Sequence, residues 1–411
     1  MSVTTIARIQ HRRGLRTDLP TNLEEGELGW CMDTKELFLG NSQAEGGNTQ
    51  VLTANVSLMN QIRYQFLSAT QVPSVTGVSA NQPTVRSLQA QVDDYWVNVR
   101  AYGAKGDGIT DDTHAIQRAL NDLYTKTLTS SENVSQSKKA IWFPVGVYVI
   151  SNSLKLWPGV RLMGENLTHT QIVLSASAVV SEMIQLTDSL GQTNSNLGVN
   201  GAQLPTHIQV ENLHFKSLAT TDMIRLQRCA HIRFHNCKIE GNWQLGSGSA
   251  VVTKGITVET LGSAVFTGNC EFTHTEICNV VWAYYCEDAV QNVQFSHCMF
   301  RSLFKGIVTD HDGVNPGPAY TRVSQSTFDL IDDHGIQVMQ SEPGVQSMHN
   351  LFLTVGNTSA VQVIYWDTTT QLCTSMNDVF ARTSTPPDRI YNGAPAANMV
   401  VNAQDPINMP V

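Results

Sequence analysis

His297-Cys298-Met299-Phe300 and Gln325-Ser326-Thr327-Phe328, 28 residues apart, carry one pattern: an amide or imidazole residue, two variable positions, then Phe or Ile. Seven copies lie between residues 212 and 380, and the other five are Asn212-Leu213-His214-Phe215, Asn236-Cys237-Lys238-Ile239, Asn269-Cys270-Glu271-Phe272, His349-Asn350-Leu351-Phe352 and Asn377-Asp378-Val379-Phe380. Their last residues are separated by 24, 33, 28, 28, 24 and 28 positions. A period of roughly 20 to 50 residues is typical of stacked units that contact only their neighbours. The repeat therefore predicts a solenoid.

Each copy belongs to a segment of alternating apolar and polar residues, the period of a β-strand. A second short strand follows, as in Gly306-Ile307-Val308 and Gly335-Ile336-Gln337-Val338. The Asn, His or Gln stands at a bend, where its side chain can satisfy backbone groups and stack on the next copy. Two or three strands per turn predict an all-β fold, a right-handed single-stranded parallel β-helix with strands about 4.8 Å apart. The Phe and Ile residues should form one internal file.

Composition excludes several classes of protein. The net charge of −9 argues against a nucleic-acid partner, because phosphate binding needs a basic face. The sequence contains no run of eighteen apolar residues, so we do not expect membrane insertion. The chain begins without a signal-peptide pattern, so we expect folding in a reducing cytoplasm. No Cys-x-x-Cys pair suggests zinc, and no metal or cofactor is predicted.

Cys237, Cys270 and Cys298 each stand two positions before a repeat Phe or Ile, so we expect them in one column. A ladder of disulfides is one interpretation of this column. Buried thiols filling the core are the other, and the expected reducing compartment favours them.

Residues 1–55 read as a separate module of short strands and turns, carried by Ile9-Gln10-His11-Arg12-Arg13-Gly14, Leu23-Glu24-Glu25-Gly26-Glu27-Leu28-Gly29-Trp30 and Asp33-Thr34-Lys35-Glu36-Leu37-Phe38-Leu39-Gly40. This order resembles a small N-terminal module of many bacteriophage tail-fibre proteins. The resemblance implies attachment to other phage tail or baseplate proteins. The basic cluster of Arg8, His11, Arg12 and Arg13 can be an anion site, but a solvated or interface surface is favoured.

Residues 56–96 form a connector with two short apolar patterns. Leu58, Ile62 and Phe66 follow helical spacing, and so do Val85, Leu88 and Val92, which predicts two short helices. Such helices are too short to be stable alone. Trimeric helix contacts and packing onto the end of the β-helix both remain open.

Residues 97–125 supply the opening strand and a capping helix of the β-helix. A strand is expected to end at Tyr102, and turns are expected at Gly103, Gly106 and Gly108. Asp111 or Asp112 should cap a helix, and together with Asp107 these carboxylates serve turns in preference to a metal site. The helix should close the N-terminal end of the solenoid.

The stretch from Val97 to Leu120 resembles the first segment of pectate-lyase-like β-helix proteins, above all phage tailspikes. The stretches Phe143-Pro144-Val145-Gly146-Val147-Tyr148 and Val160-Arg161-Leu162-Met163-Gly164-Glu165 match the next turns of that family. The resemblance covers residues 97–385. Residues 386–411, rich in Pro and Asn, are expected to form an irregular tail.

Candidate site residues follow from stacking. Four positions beyond the repeat Phe stand Glu276, Phe304 and Asp332, so the two carboxylates should lie two turns apart, about 9 to 10 Å. That separation borders on the range for inverting glycosidases. Phe304, or Trp243 in the same column, could stack on a sugar. Asp333 and Asp310 are weaker candidates, and turn chemistry is favoured over catalysis as the reason for carboxylates at this position.

The two resemblances together imply a phage tail spike or fibre in the virion, assembled in the host cytoplasm. Such proteins are usually homotrimers that engage a bacterial surface polysaccharide, either capsule or O-antigen. Whether the chain cleaves the glycan, as a hydrolase or lyase, or only binds it stays open. A structural fibre or baseplate protein without glycan affinity is the alternative, and a free polysaccharide lyase or hydrolase is disfavoured by the apparent lack of a signal peptide.

Overall fold

The computed structural model describes residues 11–41, 47–51, 63–64, 86–87, 96–125, 140–193, 196–199, 202–259, 267–287, 290–310, 319–339, 344–356, 362–367, 373–381, 390–392 and 399–401. The chain divides into two compact units, Met1–Tyr95 and Trp96–Val411. None of the described helices is both long and apolar enough to cross a membrane.

The first unit contains a four-stranded sheet in chain order, built from His11–Gly14, Leu28–Cys31, Glu36–Gly40 and Asn48–Val51. The first two strands are parallel and the following pairs antiparallel. A 3₁₀ turn, Arg16–Asp18, follows the first strand. Leu23, Cys31 and Phe38 form its small core. The basic cluster is partly neutralised here, because Arg12 pairs with Glu27 at 2.6 Å.

The connector departs from the helical prediction. Arg63–Tyr64 and Arg86–Ser87 are short strands that pair with each other antiparallel, inside the two segments where helices were predicted. The helical prediction is therefore wrong at these positions, since about two turns of apolar spacing stabilise a helix too weakly to exclude strand pairing. The other residues of the predicted helices lie outside the described part of the chain.

The second unit is a parallel β-helix with three sheets, and nine successive turns each add one strand to every sheet. Sheet 1 contains Val97–Asn98, Ala140–Phe143, Arg161–Gly164, Gln209–Glu211, Arg233–His235, Thr267–Thr273, Val290–Ser296, Ala319–Ser324, Val345–Met348, Thr374–Met376 and Met399–Val401. Sheet 2 contains Asp107–Asp111, Gly146–Ile150, Thr170–Leu174, His214–Ser217, Lys238–Glu240, Glu276–Cys278, Met299–Leu303, Thr327–Ile331, Leu351–Phe352 and Val379–Phe380. Sheet 3 contains Leu154–Leu156, Glu182–Leu186, Asp222–Gln227, Lys254–Glu259, Trp282–Cys286, Lys305–Thr309, Ile336–Val338, Ile364–Trp366 and Ile390–Asn392. The predicted fold class is confirmed.

The C-terminal tail was predicted as irregular, and this is wrong for two segments. Ile390–Asn392 pairs with Ile364–Trp366 in sheet 3, and Met399–Val401 pairs with Thr374–Met376 in sheet 1. Short apolar β-forming stretches between the Pro-rich segments are sufficient to extend a sheet whose edge is already formed.

The N-terminal end is closed by the helix Thr113–Thr125, whose Ile116, Ala119, Leu120 and Leu123 join the main core. The opening strand is shorter than predicted: it ends at Asn98, and a 3₁₀ turn, Val99–Tyr102, leads to Gly103.

The aspartates before this helix serve turns. Asp112 accepts the N–H groups of Lys105 and Gly106, and Asp107 accepts those of Ile109 and Thr110. Asp111 accepts the N–H of Thr113 at the start of the helix.

The internal file forms along sheet 2 with one change of membership. Phe300, Phe328, Phe352 and Phe380 stack in register, with ring centroids 4.6, 4.6 and 5.1 Å apart. On the N-terminal side the file continues through Ile277, Ile239 and Phe215. Phe272 instead belongs to sheet 1, where it stacks between Phe234 and Phe295.

The third repeat copy was therefore assigned wrongly: its true form is His274-Thr275-Glu276-Ile277, five residues later. Both Asn269 and His274 adopt positive φ, at 52° and 50°: Asn269 bends the chain within the sheet 1 strand Thr267–Thr273, and His274 bends it directly after that strand. An Asn-x-x-Phe pattern cannot distinguish these two bends. The bend column itself is confirmed, since Asn236 donates to Asn212 and the rings of His274 and His297 stack at 4.9 Å.

Because the third repeat copy is His274-Thr275-Glu276-Ile277, the three cysteines do not all lie in one column. Cys237 and Cys298 share a column with Thr275 between them, whereas Cys270 pairs in register with Val293 in sheet 1. The single-column prediction is wrong for Cys270. All eight cysteines are buried thiols, as the second interpretation expected.

Candidate functional site

A second repeat, six residues long, builds sheet 3 and places its outward side chains. Its third and fifth residues face the core, and its first, fourth and sixth face outward. The copies are Glu182-Met183-Ile184-Gln185-Leu186-Thr187, Asp222-Met223-Ile224-Arg225-Leu226-Gln227, Lys254-Gly255-Ile256-Thr257-Val258-Glu259, Trp282-Ala283-Tyr284-Tyr285-Cys286-Glu287, Lys305-Gly306-Ile307-Val308-Thr309-Asp310, His334-Gly335-Ile336-Gln337-Val338-Met339 and Gln362-Val363-Ile364-Tyr365-Trp366-Asp367.

The second position of this repeat is glycine or alanine in the four consecutive copies from Lys254 to Val338, because neighbouring strands approach closely there. A Cβ atom on Gly306 would lie 2.2 Å from the carbonyl oxygen of Gly335 and 3.0 Å from the Phe328 ring. Glycine removes that clash. The close contact fixes the register on which the outward columns depend.

Three residues in the middle of the outer face of sheet 3 form an aromatic and cationic group. The ammonium of Lys254 lies 4.4 Å from the ring centroid of Tyr285 and 6.0 Å from that of Trp282. The two rings are 4.9 Å apart and tilted by 39°. A cation held over an aromatic face is stabilised by the ring quadrupole. The half-buried ring of Trp282 and the positive charge of Lys254 lie side by side on this face, whereas Tyr285 is only 8% exposed.

Next to this group lies an acidic row at the sixth repeat position. Glu259, Glu287 and Asp310 follow one another on successive turns, since Val258 pairs with Cys286 and Cys286 pairs with Thr309. Burial and then the nearby charges of Glu287, Asp310 and Glu259 raise the pKa of Tyr285, so its phenol stays neutral. We name Glu259, Glu287 and Asp310 the carboxylate row.

The side chain of Arg225 lies between the carboxylate row and the buried carboxylate of Glu182. It lies 3.5 Å from the carboxylate of Glu182, which is fully buried, and 3.6 Å from that of Glu259. Asp222 accepts the backbone N–H of Lys254, and burial raises its pKa although Lys254 and Arg225 oppose the shift. The basic side chains in this region therefore already have acidic neighbours.

Asp333 lies beside the first residue of the sheet 3 strand Lys305–Thr309. Its carboxylate is 3.4 Å from Lys305 and 3.5 Å from the imidazole of His334. His334 also bonds the carbonyl of Gln362 at 2.6 Å, and burial lowers its pKa. Asp310 and Asp333, predicted as weaker candidates, thus flank one sheet 3 strand, Lys305–Thr309. Among the described side chains, no group of three or more His, Cys, Asp or Glu is placed to hold a metal ion.

The first-choice pair, Glu276 and Asp332, does not share a column. Glu276 opens a sheet 2 strand, in register with Met299 and 3.6 Å from Lys238. Asp332 follows another sheet 2 strand, on the turn toward sheet 3, where only 2% of it is exposed. The predicted column is wrong because Phe272, the residue from which the position of Glu276 is counted, belongs to sheet 1.

Asp332 instead holds a loop that crosses the turns between sheets 2 and 3. Its carboxylate accepts the backbone N–H of Gly246 at 2.9 Å. Trp243, at the start of the same loop, is 9% exposed and donates its indole N–H to the carbonyl of Gly248. Trp243 and Phe304 do stand four positions after file residues Ile239 and Phe300. Phe304 is half-buried on its turn.

Sequence reasoning missed Glu259, Glu287, Lys254, Trp282 and Tyr285. Their signal is the six-residue repeat of sheet 3, whose first residue is often charged and whose sixth is acidic in four of its seven copies, at positions 259, 287, 310 and 367. The four-residue repeat concealed it, because it marks the bend before sheet 2 and says nothing about sheet 3.

Chemically, this face can hold a ligand rich in hydroxyl groups. Aromatic rings offer apolar surface for stacking, and carboxylates accept hydrogen bonds from hydroxyls. Carboxylates on adjacent turns also provide the pairs that acid–base chemistry on a glycosidic bond requires.

Comparison with known proteins agrees with this architecture. The family model for rhamnogalacturonase A/epimerase, pectate lyase-like, matches residues 96–313. The chain belongs to this family. Residues 9–41 of this pectate lyase-like chain match the major tropism determinant N-terminal domain. The two matches confirm the resemblance to phage tail spikes and fibres that the sequence carried.

Individual relatives cover only parts of this family member. A pre-neck appendage protein of Bacillus phage PZA is 25% identical over 107 residues, which are 26% of this chain and 11% of that protein. The non-secreted LysM effector LysM19 of Penicillium expansum is 41% identical over 69 residues, 17% of this chain and 5% of that protein. Among solved structures, ORF18 of Geobacillus virus E2 shares the fold with a TM-score of 0.53 at 14% identity, over 97% of this chain and 75% of that one.

Proposed function

We propose that this chain is a phage tail spike or fibre protein that binds a bacterial surface polysaccharide on the outer face of sheet 3. The observation that carries the proposal is the group of Lys254, Trp282 and Tyr285 beside the carboxylate row. Ring surface next to hydrogen-bonding and charged groups is the combination that sugars require.

The position in the virion follows from the two-part organisation. Residues 1–55, which include the match to the tropism-determinant domain, attach the protein to other tail or baseplate proteins. The β-helix carries the glycan site. A homotrimer is the assembly that fits, because three solenoids side by side protect long faces from solvent.

An array of bacterial capsule and O-antigen polysaccharides tests the binding. The wild-type protein should bind a small set of glycans, and Lys254→Met should lose most of that binding while keeping the aliphatic stem. Arg322→Met is the matched control, because Arg322 is an exposed cation on sheet 1 that bonds Gln346. Equal loss in both variants, or unchanged binding by Lys254→Met, would remove sheet 3 from the proposal. Wild-type protein that binds no glycan selectively would favour a connecting fibre.

A second candidate function, cleavage of the bound glycan, is favoured by the spacing of the carboxylate row. Backbones one turn apart are separated by about 4.8 Å and two turns apart by about 9.6 Å. Retaining glycosidases need carboxyls about 5 to 5.5 Å apart, and inverting enzymes about 6.5 to 9.5 Å. Glu259 and Glu287 approach the first separation, and Glu259 and Asp310 the second.

Incubation with the polysaccharide selected on the array separates the outcomes. New reducing ends without unsaturated uronates identify a hydrolase, and unsaturated uronates identify a lyase. Glu259→Gln should abolish a hydrolase activity under either pairing, Glu287→Gln should abolish a retaining one and Asp310→Asn an inverting one, whereas Glu276→Gln on sheet 2 should abolish neither. Binding without any product would leave a receptor-binding fibre and dismiss cleavage.

A further inference from the structure

A cleft of about 670 Å³ lies at the N-terminal end of the outer face of sheet 3. Its lining includes Trp157, Lys155 and Gln185, together with His114, Gln117 and Asn121 from the capping helix. The side chains that line it include no carboxylate. The cleft therefore differs in charge from the carboxylate row, although both belong to the same sheet.

The indole of Trp157 is held in a fixed orientation. Its N–H donates to the amide oxygen of Asn121 at 2.9 Å, and Gln117 bonds the backbone of Lys155 on both sides. Gly191 packs against the ring edge, where an added Cβ would lie 2.9 Å away. A ring fixed in advance loses little conformational entropy when a ligand stacks on it.

The cleft continues the outward columns of sheet 3. Lys155 pairs in register with Gln185, and the next residues of that column are Arg225, Thr257 and Tyr285. Four turns separate the strand before Trp157 from the strand of Trp282, which corresponds to about 19 Å at about 4.8 Å per turn. Trp157 follows its strand at the sixth repeat position, whereas Trp282 opens its strand at the first, so a glycan that reaches both tryptophans must cross the face obliquely.

We infer that the Trp157 cleft is a distal sugar-binding subsite of the same glycan, one that binds a sugar ring but does no chemistry. The inference rests on the proposed function. Trp157 supplies the stacking surface, the imidazole of His114 and the amide oxygen of Gln185 supply hydrogen-bonding groups, and Lys155 favours an uncharged or acidic sugar over a basic one. The absence of a carboxylate among the lining side chains removes the acid–base pair that cleavage requires.

Fragments of different length from the array-selected polysaccharide test the subsite, with affinities measured by calorimetry. Trp157→Ala should weaken binding of octasaccharides about tenfold, equivalent to about 1.4 kcal/mol, and leave disaccharide binding unchanged. Trp157→Phe should retain most of the affinity, which controls for folding together with thermal unfolding of each variant. Trp96→Ala is the matched control, because Trp96 is 54% exposed and stacks on Trp142 outside this cleft.

Each outcome decides the matter. If Trp157→Ala leaves octasaccharide binding unchanged while Lys254→Met abolishes it, the subsite is wrong and the sheet 3 site stands. If Trp157→Ala weakens both fragment lengths equally, Trp157 acts through the fold and the subsite is also wrong. If wild-type protein binds no fragment, the proposed function itself fails, and the subsite fails with it.

Discussion

The backbone N–H of Gly246 donates to the carboxylate of Asp332 at 2.9 Å, which ties a loop to a turn 86 residues further along the chain. Both groups sit where the chain passes between sheets 2 and 3. Asp332 is 2% exposed whereas Gly246 is exposed, so the bond gives a partner to a carboxylate that water scarcely reaches. The carboxylate predicted as catalytic from the sequence therefore has a structural task.

Asp332→Ala should destabilise the protein by about 1 to 3 kcal/mol, because it removes the charged acceptor of a partly buried hydrogen bond. Limited proteolysis should show faster cleavage in the loop around Gly246. Asp332→Asn retains an acceptor oxygen and serves as the control. If Asp332→Asn abolished glycan cleavage while the loop stayed resistant to protease, the carboxylate would be catalytic after all.

The internal file of sheet 2 should contribute most to the stability of the β-helix. Phe328 is fully buried, with Phe300 and Phe352 stacked at 4.6 Å on either side. Phe328→Ala should lower the free energy of unfolding by about 3 to 5 kcal/mol, because it leaves a cavity as well as losing burial. Urea unfolding followed by tryptophan fluorescence measures the loss. Phe304 is half-buried on a turn, so Phe304→Ala should lower the free energy of unfolding by clearly less. Equal losses in the two variants would show that the internal file does not dominate stability.

Glu240 makes stability depend on pH. The hydrogen bond from His214 at 3.0 Å, followed by Lys216 at 2.9 Å and Lys238, holds the pKa of Glu240 well below its usual range. The Glu240 carboxylate therefore binds a proton more readily in the unfolded chain than in the folded one. Its stabilisation of the fold is present above the unfolded pKa of about 4.3 and is lost as pH falls below that value.

Glu240→Gln should accordingly lose less stability than wild type between pH 6 and pH 3, measured by urea unfolding at each pH. Glu271→Gln is the matched control, because Glu271 is 41% exposed in its pair with Arg233. Surface pairs of that kind contribute little. An identical pH dependence for wild type and Glu240→Gln would show that the contacts of Glu240 with His214, Lys216 and Lys238 do not stabilise the fold.

The cysteines should be unreactive in the native protein. Burial raises the pKa of Cys237 and of Cys298 to about 12, so the thiolate that attacks disulfide reagents is scarce. Titration with a thiol reagent at pH 8 should give almost no reaction in buffer and eight thiols in denaturant without reductant. Fewer than eight would indicate disulfides and restore the ladder interpretation.

The sequence by itself determined the solenoid, its bend column and most of its aromatic file. Those features depend on local alternation and on a period that recurs within each turn, as in His297-Cys298-Met299-Phe300. The conformations at the bends are local too, since Asn, His and Gln there adopt positive φ for reasons of their own chain segment.

Only the tertiary structure decided which residues become neighbours. The turn from Ile239 to Ile277 is 38 residues long, because it contains a loop that crosses the adjacent turns, and this displaced Glu276 from its expected column. The carboxylate row and the Lys254 group exist only through pairing between strands 23 to 32 residues apart. A shift in one such pairing moves every outward side chain, so a site made of columns follows from register and not from local pattern.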